Sequence, residues 1–300
     1  MGAIKNNKSG LKNPERLYNR YSGVPVVYVE SNDDQYVFGE CWFKEFSSRL
    51  EFCPVSNRND IETETTAGCK AVVDAVKAER SAGNPAWGVV DRDAVFSYKY
   101  WHLVHETDDV VFDDARPFGR HVKVLRLWEM ESYLIDAASI EKYRSEHMMD
   151  VARPVDVVWS ELLGDCQALI PHAALNAVRH EFGVVGIKDG GTNGMLNRAD
   201  VDKKLVSDTL CSMEKSNPAC RERYQHYIRG ADAFDMPDQS DRVRMSRLLR
   251  RVHGKAMLAR FESRNGFKRL KGPLAVQIKE AGQIPDELKD FVSNAVADKA

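Results

Sequence analysis

Two apolar runs that each end on acid constrain this chain more than any other feature. Val24-Pro25-Val26-Val27-Tyr28-Val29 ends on Glu30, and Trp87-Gly88-Val89-Val90 ends on Asp91-Arg92-Asp93. A continuous, β-branched apolar run reads as a strand covered on both faces, which is the habit of parallel sheets. Between the two runs, Asp33–Ser48 has helical spacing, with Tyr36, Val37, Trp42, Phe43 and Phe46 as its inner face. Leu50–Val55 reads as a strand and Ser56–Thr66 as a polar loop. A helix opens at Gly68, runs through Val72, Val73, Val76 and Arg80, and stops at Gly83-Asn84-Pro85. Val122–Leu127 gives a fourth strand. The alternation predicts an α/β fold, a Rossmann-like, mostly parallel sheet flanked by helices. After Glu131 the periods turn helical: Tyr133–His147, Val155–Leu169 and Ala173–Phe182. The expected organisation is a basic arm over 1–22 with a short helix, an α/β domain over 23–150, and a mostly helical basic domain over 151–300.

The carboxyl ends of strands are where open α/β sheets bind ligands. Glu30 and Asp34 share an E-x-x-x-D spacing, so a helix starting after the first strand would turn both to one side. Asp33 or Asp34 can equally cap that helix. Asp91-x-Asp93 would put two carboxylates on one side of an extended segment, and alone it could also be a solvated turn. Several carboxylates held together call for a cation, so Glu30, Asp34, Asp91 and Asp93 predict Mg²⁺ or Mn²⁺, and with it phosphoryl-transfer chemistry on nucleic acid. Glu129 and Glu131 follow the fourth strand. Glu131 is the choice to complete the shell, against the reading of a helix-start acid. Lys255, in His253-Gly254-Lys255, could stabilise charge on a transferred phosphate or be a solvated lysine after a helix break. His102-x-x-His105-Glu106 lacks zinc-site spacing and reads as packing. The glycine-rich Gly186–Gly194 lacks a phosphate-loop pattern and reads as a loop.

Among 300 residues no apolar stretch approaches the length of a membrane helix, and the start carries no signal-peptide core. Six cysteines without a C-x-x-C pair read as reduced thiols, giving a cytoplasmic expectation. Residues 201–300 carry 20 basic and 14 acidic side chains, with the basic excess concentrated over Arg242–Lys271. That stretch, including Arg247, Arg250, Arg251, Lys268 and Arg269, is the expected nucleic-acid contact.

A glutamate ending strand one and a D-x-D ending strand three resemble the toprim fold. The E-x-x-x-D refinement, Glu131 and the downstream lysine are similar to the nuclease half of OLD-family proteins. The nearest resemblance is to the AriB nuclease family of PARIS anti-phage systems, strongest in Val27–Glu30, Gly88–Asp93 and Trp128–Leu134. It implies a toxic endoribonuclease that cleaves host tRNA and is held inactive by a separate ABC-type ATPase. A phage anti-restriction protein would be the indirect trigger, and the active form a homodimer. By the same resemblance Glu30 is a metal ligand and acid/base, Asp91 and Asp93 are metal ligands, Asp34 and Glu131 complete the cation shell, and Lys255 is the phosphate-stabilising cation. OLD-type sites carry a serine two positions before the later glutamate, where this chain has Glu129. Two rivals stand beside this reading. Asp91-Arg92-Asp93-Ala94-Val95 loosely fits a haloacid-dehalogenase-like phosphatase, and the chain could be a non-catalytic regulatory subunit that binds an ATPase.

Overall fold

The computed structural model describes residues 23–57, 68–148, 152–183 and 199–298. The basic arm, most of the polar loop and the glycine-rich stretch named above lie outside them. A four-stranded parallel sheet has the order β2-β1-β3-β4, with β1 Val26–Val29, β2 Glu51–Pro54, β3 Ala86–Val90 and β4 Val122–Val124. In register, Val27 lies between Phe52 and Trp87, and Tyr28 between Cys53 and Gly88. Every residue of β3 is buried, as a strand covered on both faces requires. The chain is otherwise mostly helical, so the α/β expectation with a helical C-terminal half holds.

The chain divides into two compact units, one of residues 1–89 with 286–300, the other of 90–285. These limits differ from the boundary near residue 150 expected from periodicity. The first unit holds β1, β2, most of β3 and α2 (Gly68–Ser81). The stretch expected to be one helix over Asp33–Ser48 starts as α1, Asn32–Gln35. It widens into a π-helical segment, Tyr36–Trp42, and ends in a 3₁₀ turn, Lys44–Phe46. Wider turns shift the inward face, so Tyr36 is 49 % exposed while Val37, Phe38, Trp42 and Phe43 are buried. Phe38 and Phe43 both stack on Phe52, with centroids 5.9 and 6.1 Å apart. The last helix, Asp286–Ala297, belongs to this unit too. Just past its end Asp298 accepts from the Trp87 indole at 2.8 Å and pairs with Arg80, while Phe291 meets the Trp87 ring edge-on.

The second unit continues from the end of β3 through short helices α3 (Ala94–Ser97), α4 (Trp101–Val104) and α5 (Asp109–Ala115) to β4. A 3₁₀ turn, Met130–Leu134, leads into α6 (Ala137–Met148). The two stretches expected over Val155–Leu169 and Ala173–Phe182 form one helix, α7, Val155–Glu181, which runs through Pro171. Around it pack α6, α8 (Ala199–Glu214), α9 (Cys220–Asp232), α10 (Asp241–Leu248) and α11 (Gly254–Asn265). Helices α11 and α12 (Lys271–Glu280) also pack on the 3₁₀ turn. With Asp286–Ala297 as α13, this order places two helix starts, each carrying a lysine, beside acids that follow β4.

Candidate metal centre

Strands β1 and β3 are neighbours in the sheet, so the residues that follow them stand at adjacent strand ends. Glu30 follows β1, and Asp91 follows β3. Asp93, two residues on, has left the extended conformation and starts α3 with helical backbone angles. Glu30, Asp91 and Asp93 each offer a carboxylate oxygen, all within 4.8 Å of one another. Ligands of octahedral Mg²⁺ at about 2.1 Å lie roughly 3–4 Å apart, so small side-chain shifts would close this group on an ion. Three carboxylates are hard oxygen donors, which suit Mg²⁺ or Mn²⁺ over softer metals. The donor chemistry therefore fits the expected cation.

The surroundings of the two aspartates are specific. Met130 N donates to Asp91 Oδ1 at 3.2 Å. The Asp93 carboxyl is pushed above the usual carboxylate range, first by burial and then by the nearby Glu129 charge; His253, Lys255 and His180 pull the other way. Crowded negative charge of this kind is what a divalent cation relieves.

Asp34 lies outside the three-carboxylate group. It is buried in a capping box: its Oδ2 accepts from Ser31 N at 2.9 Å, while its own N–H donates to Ser31 Oγ at 3.2 Å. This is the capping role open to Asp33 or Asp34 in the sequence. Glu131 also lies outside the group. It is 1 % exposed, and Lys271 Nζ stands 2.6 Å from its Oε1. Lys255 Nζ lies 3.7 Å from Glu131 Oε2 and 3.2 Å from Glu129 Oε2, and Lys255 N donates to Glu129 Oε1 at 2.5 Å.

Burial alone would lower the Lys255 pKa, but Glu129, Glu131 and Asp91 outweigh it and hold the ammonium above its ordinary value. Gly254 makes this approach possible. A Cβ there would fall on the Ser132 backbone nitrogen and lie 2.7 Å from the Glu131 carbonyl carbon, so only glycine lets α11 start against the turn. Glu129 and Lys271 had no signal in the sequence strong enough to assign them. The Lys271–Glu131 pair spans 140 positions, which no local spacing rule can detect.

The basic stretch is largely balanced from within. Arg244 pairs with Asp235, and Arg260 and Arg264 with Asp165. Arg250 is buried, with its guanidinium on the Thr107 carbonyl and Asp109; Arg251 is 1 % exposed and donates to the Val104 carbonyl. Neither is presented to a polyanion in this structure, a departure from the expected phosphate contacts. The acids and carbonyls that claim these arginines lie far away in sequence, so composition could not place them. Arg247 donates to the Phe234 carbonyl at 3.2 Å, while Lys268 and Arg269 are exposed beyond the end of α11.

His105, from the sequence pair with His102, packs against His226 and Tyr227 at 5.2 and 5.5 Å between ring centroids. Among the described residues no helix is long and apolar enough to cross a membrane. Comparisons with protein-family models, curated proteins and solved structures find no match to this chain.

Proposed function

We propose that this chain is a metal-dependent endonuclease of toprim type. The observation that carries the reading is the meeting of Glu30, Asp91 and Asp93 at neighbouring strand ends. When bound, Mg²⁺ or Mn²⁺ would supply Lewis acidity at the scissile phosphate and lower the pKa of a water. Asp91 and Asp93 would hold the ion, with Glu30 as both ligand and proton acceptor for the attacking water. Lys255 keeps its proton at neutral pH because of the acids around it. Its role is therefore that of a fixed positive charge facing phosphate, not a proton donor. Asp34 supports the site by fixing the turn after Glu30. Glu131 could act as a ligand only by giving up its lysine partners. Of the five basic residues expected to contact nucleic acid, Lys268 and Arg269 are exposed and are proposed for backbone contact, with a smaller share for Arg247.

The resemblance extends this reading to RNA, with host tRNA as substrate, in a cytoplasmic anti-phage defence system. There an ABC-type ATPase partner would restrain the nuclease, a phage anti-restriction protein would trigger its release, and the active form would be a homodimer. The test incubates wild-type chain and Glu30→Ala with total RNA and with plasmid DNA, with Mg²⁺, with Mn²⁺ and with EDTA. Metal-dependent RNA cutting by wild type, reduced at least about 10²-fold in Glu30→Ala at unchanged Tm, is the expected result. Equal cutting by both proteins removes the catalytic assignment. Phosphoaspartate trapped at Asp91 would favour the phosphatase rival instead.

A further inference from the structure

Arg92, the residue between the two aspartates, is fully buried, whereas its neighbours are only partly so. Its Nη1 donates to the Arg126 carbonyl at 2.7 Å, and its Nη2 to the Leu103 and Glu106 carbonyls at 3.2 and 2.9 Å. Two more buried arginines work on the same segment, Arg251 at the Val104 carbonyl and Arg250 at the Thr107 carbonyl. Four carbonyls between residues 103 and 107 thus accept from guanidinium groups at the C-terminal end of α4, where helix carbonyls need partners from outside the helix; Leu103 also takes the Glu106 N–H. Cations are also favoured at a helix C-terminus. The Arg92 guanidinium lies 3.9 Å from the Phe112 ring centroid, so one face is packed on an aromatic surface. Burial, with the Arg251 and Arg250 charges, brings its pKa down to about 9, so it stays cationic at neutral pH.

The backbone of the same three residues is fixed as well. Arg92 N donates to the Trp128 carbonyl at 2.9 Å, and Asp91 Oδ1 takes the Met130 N–H. One buried side chain therefore ties the D-x-D segment to the α4–α5 connection, while the main chain ties it to the segment after β4. A two-aspartate site needs both carboxylates held within a few tenths of an ångström, and this bracing supplies that restraint.

We propose that Arg92 is a positioning residue for the metal site, acting through Asp91 and Asp93 by locking the backbone between them. This rests on the metal-centre reading above. The test measures Mn²⁺ affinity by the loss of the free-ion EPR signal, together with Tm. The proteins are wild type, Asp91→Asn, Arg92→Met, Arg92→Lys and Arg251→Met. Arg92→Met is expected to weaken Mn²⁺ binding about 10–100-fold, the range found when groups that orient metal ligands are removed. Arg92→Lys, which keeps the charge but not the three-way hydrogen bonding, is expected to recover part of it. Arg251→Met breaks the same clamp away from the aspartates, so it should lower Tm while leaving Mn²⁺ affinity within about twofold.

Should Arg92→Met not fold, Arg92→Lys decides, and wild-type affinity in that variant overturns the proposal. Equal weakening by Arg92→Met and Arg251→Met also overturns it, since that marks general loosening. If wild type binds no Mn²⁺, or Asp91→Asn binds as wild type does, the metal-centre reading falls and this inference with it. Unchanged binding in the Arg92 variants alone defeats only the inference.

Discussion

Two pairs of acids, Asp91/Asp93 after β3 and Glu129/Glu131 after β4, look alike in sequence and are treated differently by the fold. Glu129 and Glu131 are buried beside lysines from the starts of α11 and α12, so their charge is met by the protein's own cations. Asp91 and Asp93 are braced from behind by an arginine whose hydrogen bonds go to carbonyls, and Asp93 is left with its proton affinity raised. The contrast teaches that a carboxylate's place in an acidic motif does not decide its role. Its surroundings decide it: Glu131 meets Lys271 in a close ion pair, whereas Asp93 is crowded by burial and by the Glu129 charge, with Lys255 and His253 only partly offsetting them. On the reading proposed above, the turn pair belongs to the scaffold and the strand-end group takes the ion.

The strongest test of the contrast removes the close approach that balances the turn pair. Gly254→Ala would drive a methyl group into backbone, and overpacking typically costs about 1–3 kcal/mol. Rigid backbone neighbours put this variant at about 3 kcal/mol, read by urea unfolding, and wild-type stability would break the comparison. Next comes Lys271→Met, which leaves Glu131 buried with its nearest cation gone. A loss of about 1–3 kcal/mol is expected, and Glu131→Gln in the same chain should restore most of it. Absence of that rescue would show that the two residues are not coupled.

Glu141 offers a reference for a balanced acid, since Arg144 and Arg153 both bond its carboxylate. Burial would raise its pKa, but those arginines bring it down to about 2. The native value is below the unfolded one of about 4.3, so this stabilisation is complete above that pH and is lost as pH falls towards 2. Glu141→Gln should flatten that part of the acid-unfolding curve.

The smallest effect is expected at His105. Burial, helped by Arg251 and His226, lowers its pKa to about 3. Its neutral form contributes stability above about pH 6.5 that is lost progressively as pH falls towards 3. His105→Phe should therefore show a shallower fall in Tm between pH 6.5 and 5 than wild type.

Much of the fold was legible because buried parallel strands announce themselves as continuous apolar runs. β1, β2 and β3 lie inside or within one residue of the expected spans, and α2 starts at the expected glycine. The stretch after Glu30 was harder to read. Its π-helical turns break the 3.6-residue count. The two stretches expected over Val155–Leu169 and Ala173–Phe182 are one helix, α7, which continues through Pro171. Of the five proposed metal ligands, the strand-end positions Glu30, Asp91 and Asp93 form one group, because strand ends are fixed by sheet register. Asp34 and Glu131 depend on a local cap and on lysines far along the chain, which periodicity does not carry.

The return of α13 to the N-terminal unit has a consequence for biosynthesis. Domains generally assemble as they emerge, N-terminal first. Here the Arg80 and Trp87 side chains must wait for Asp298, more than two hundred residues later. The layer that carries Glu30 is thus finished only after translation has passed the entire second unit, so a prematurely terminated product would lack a completed first unit.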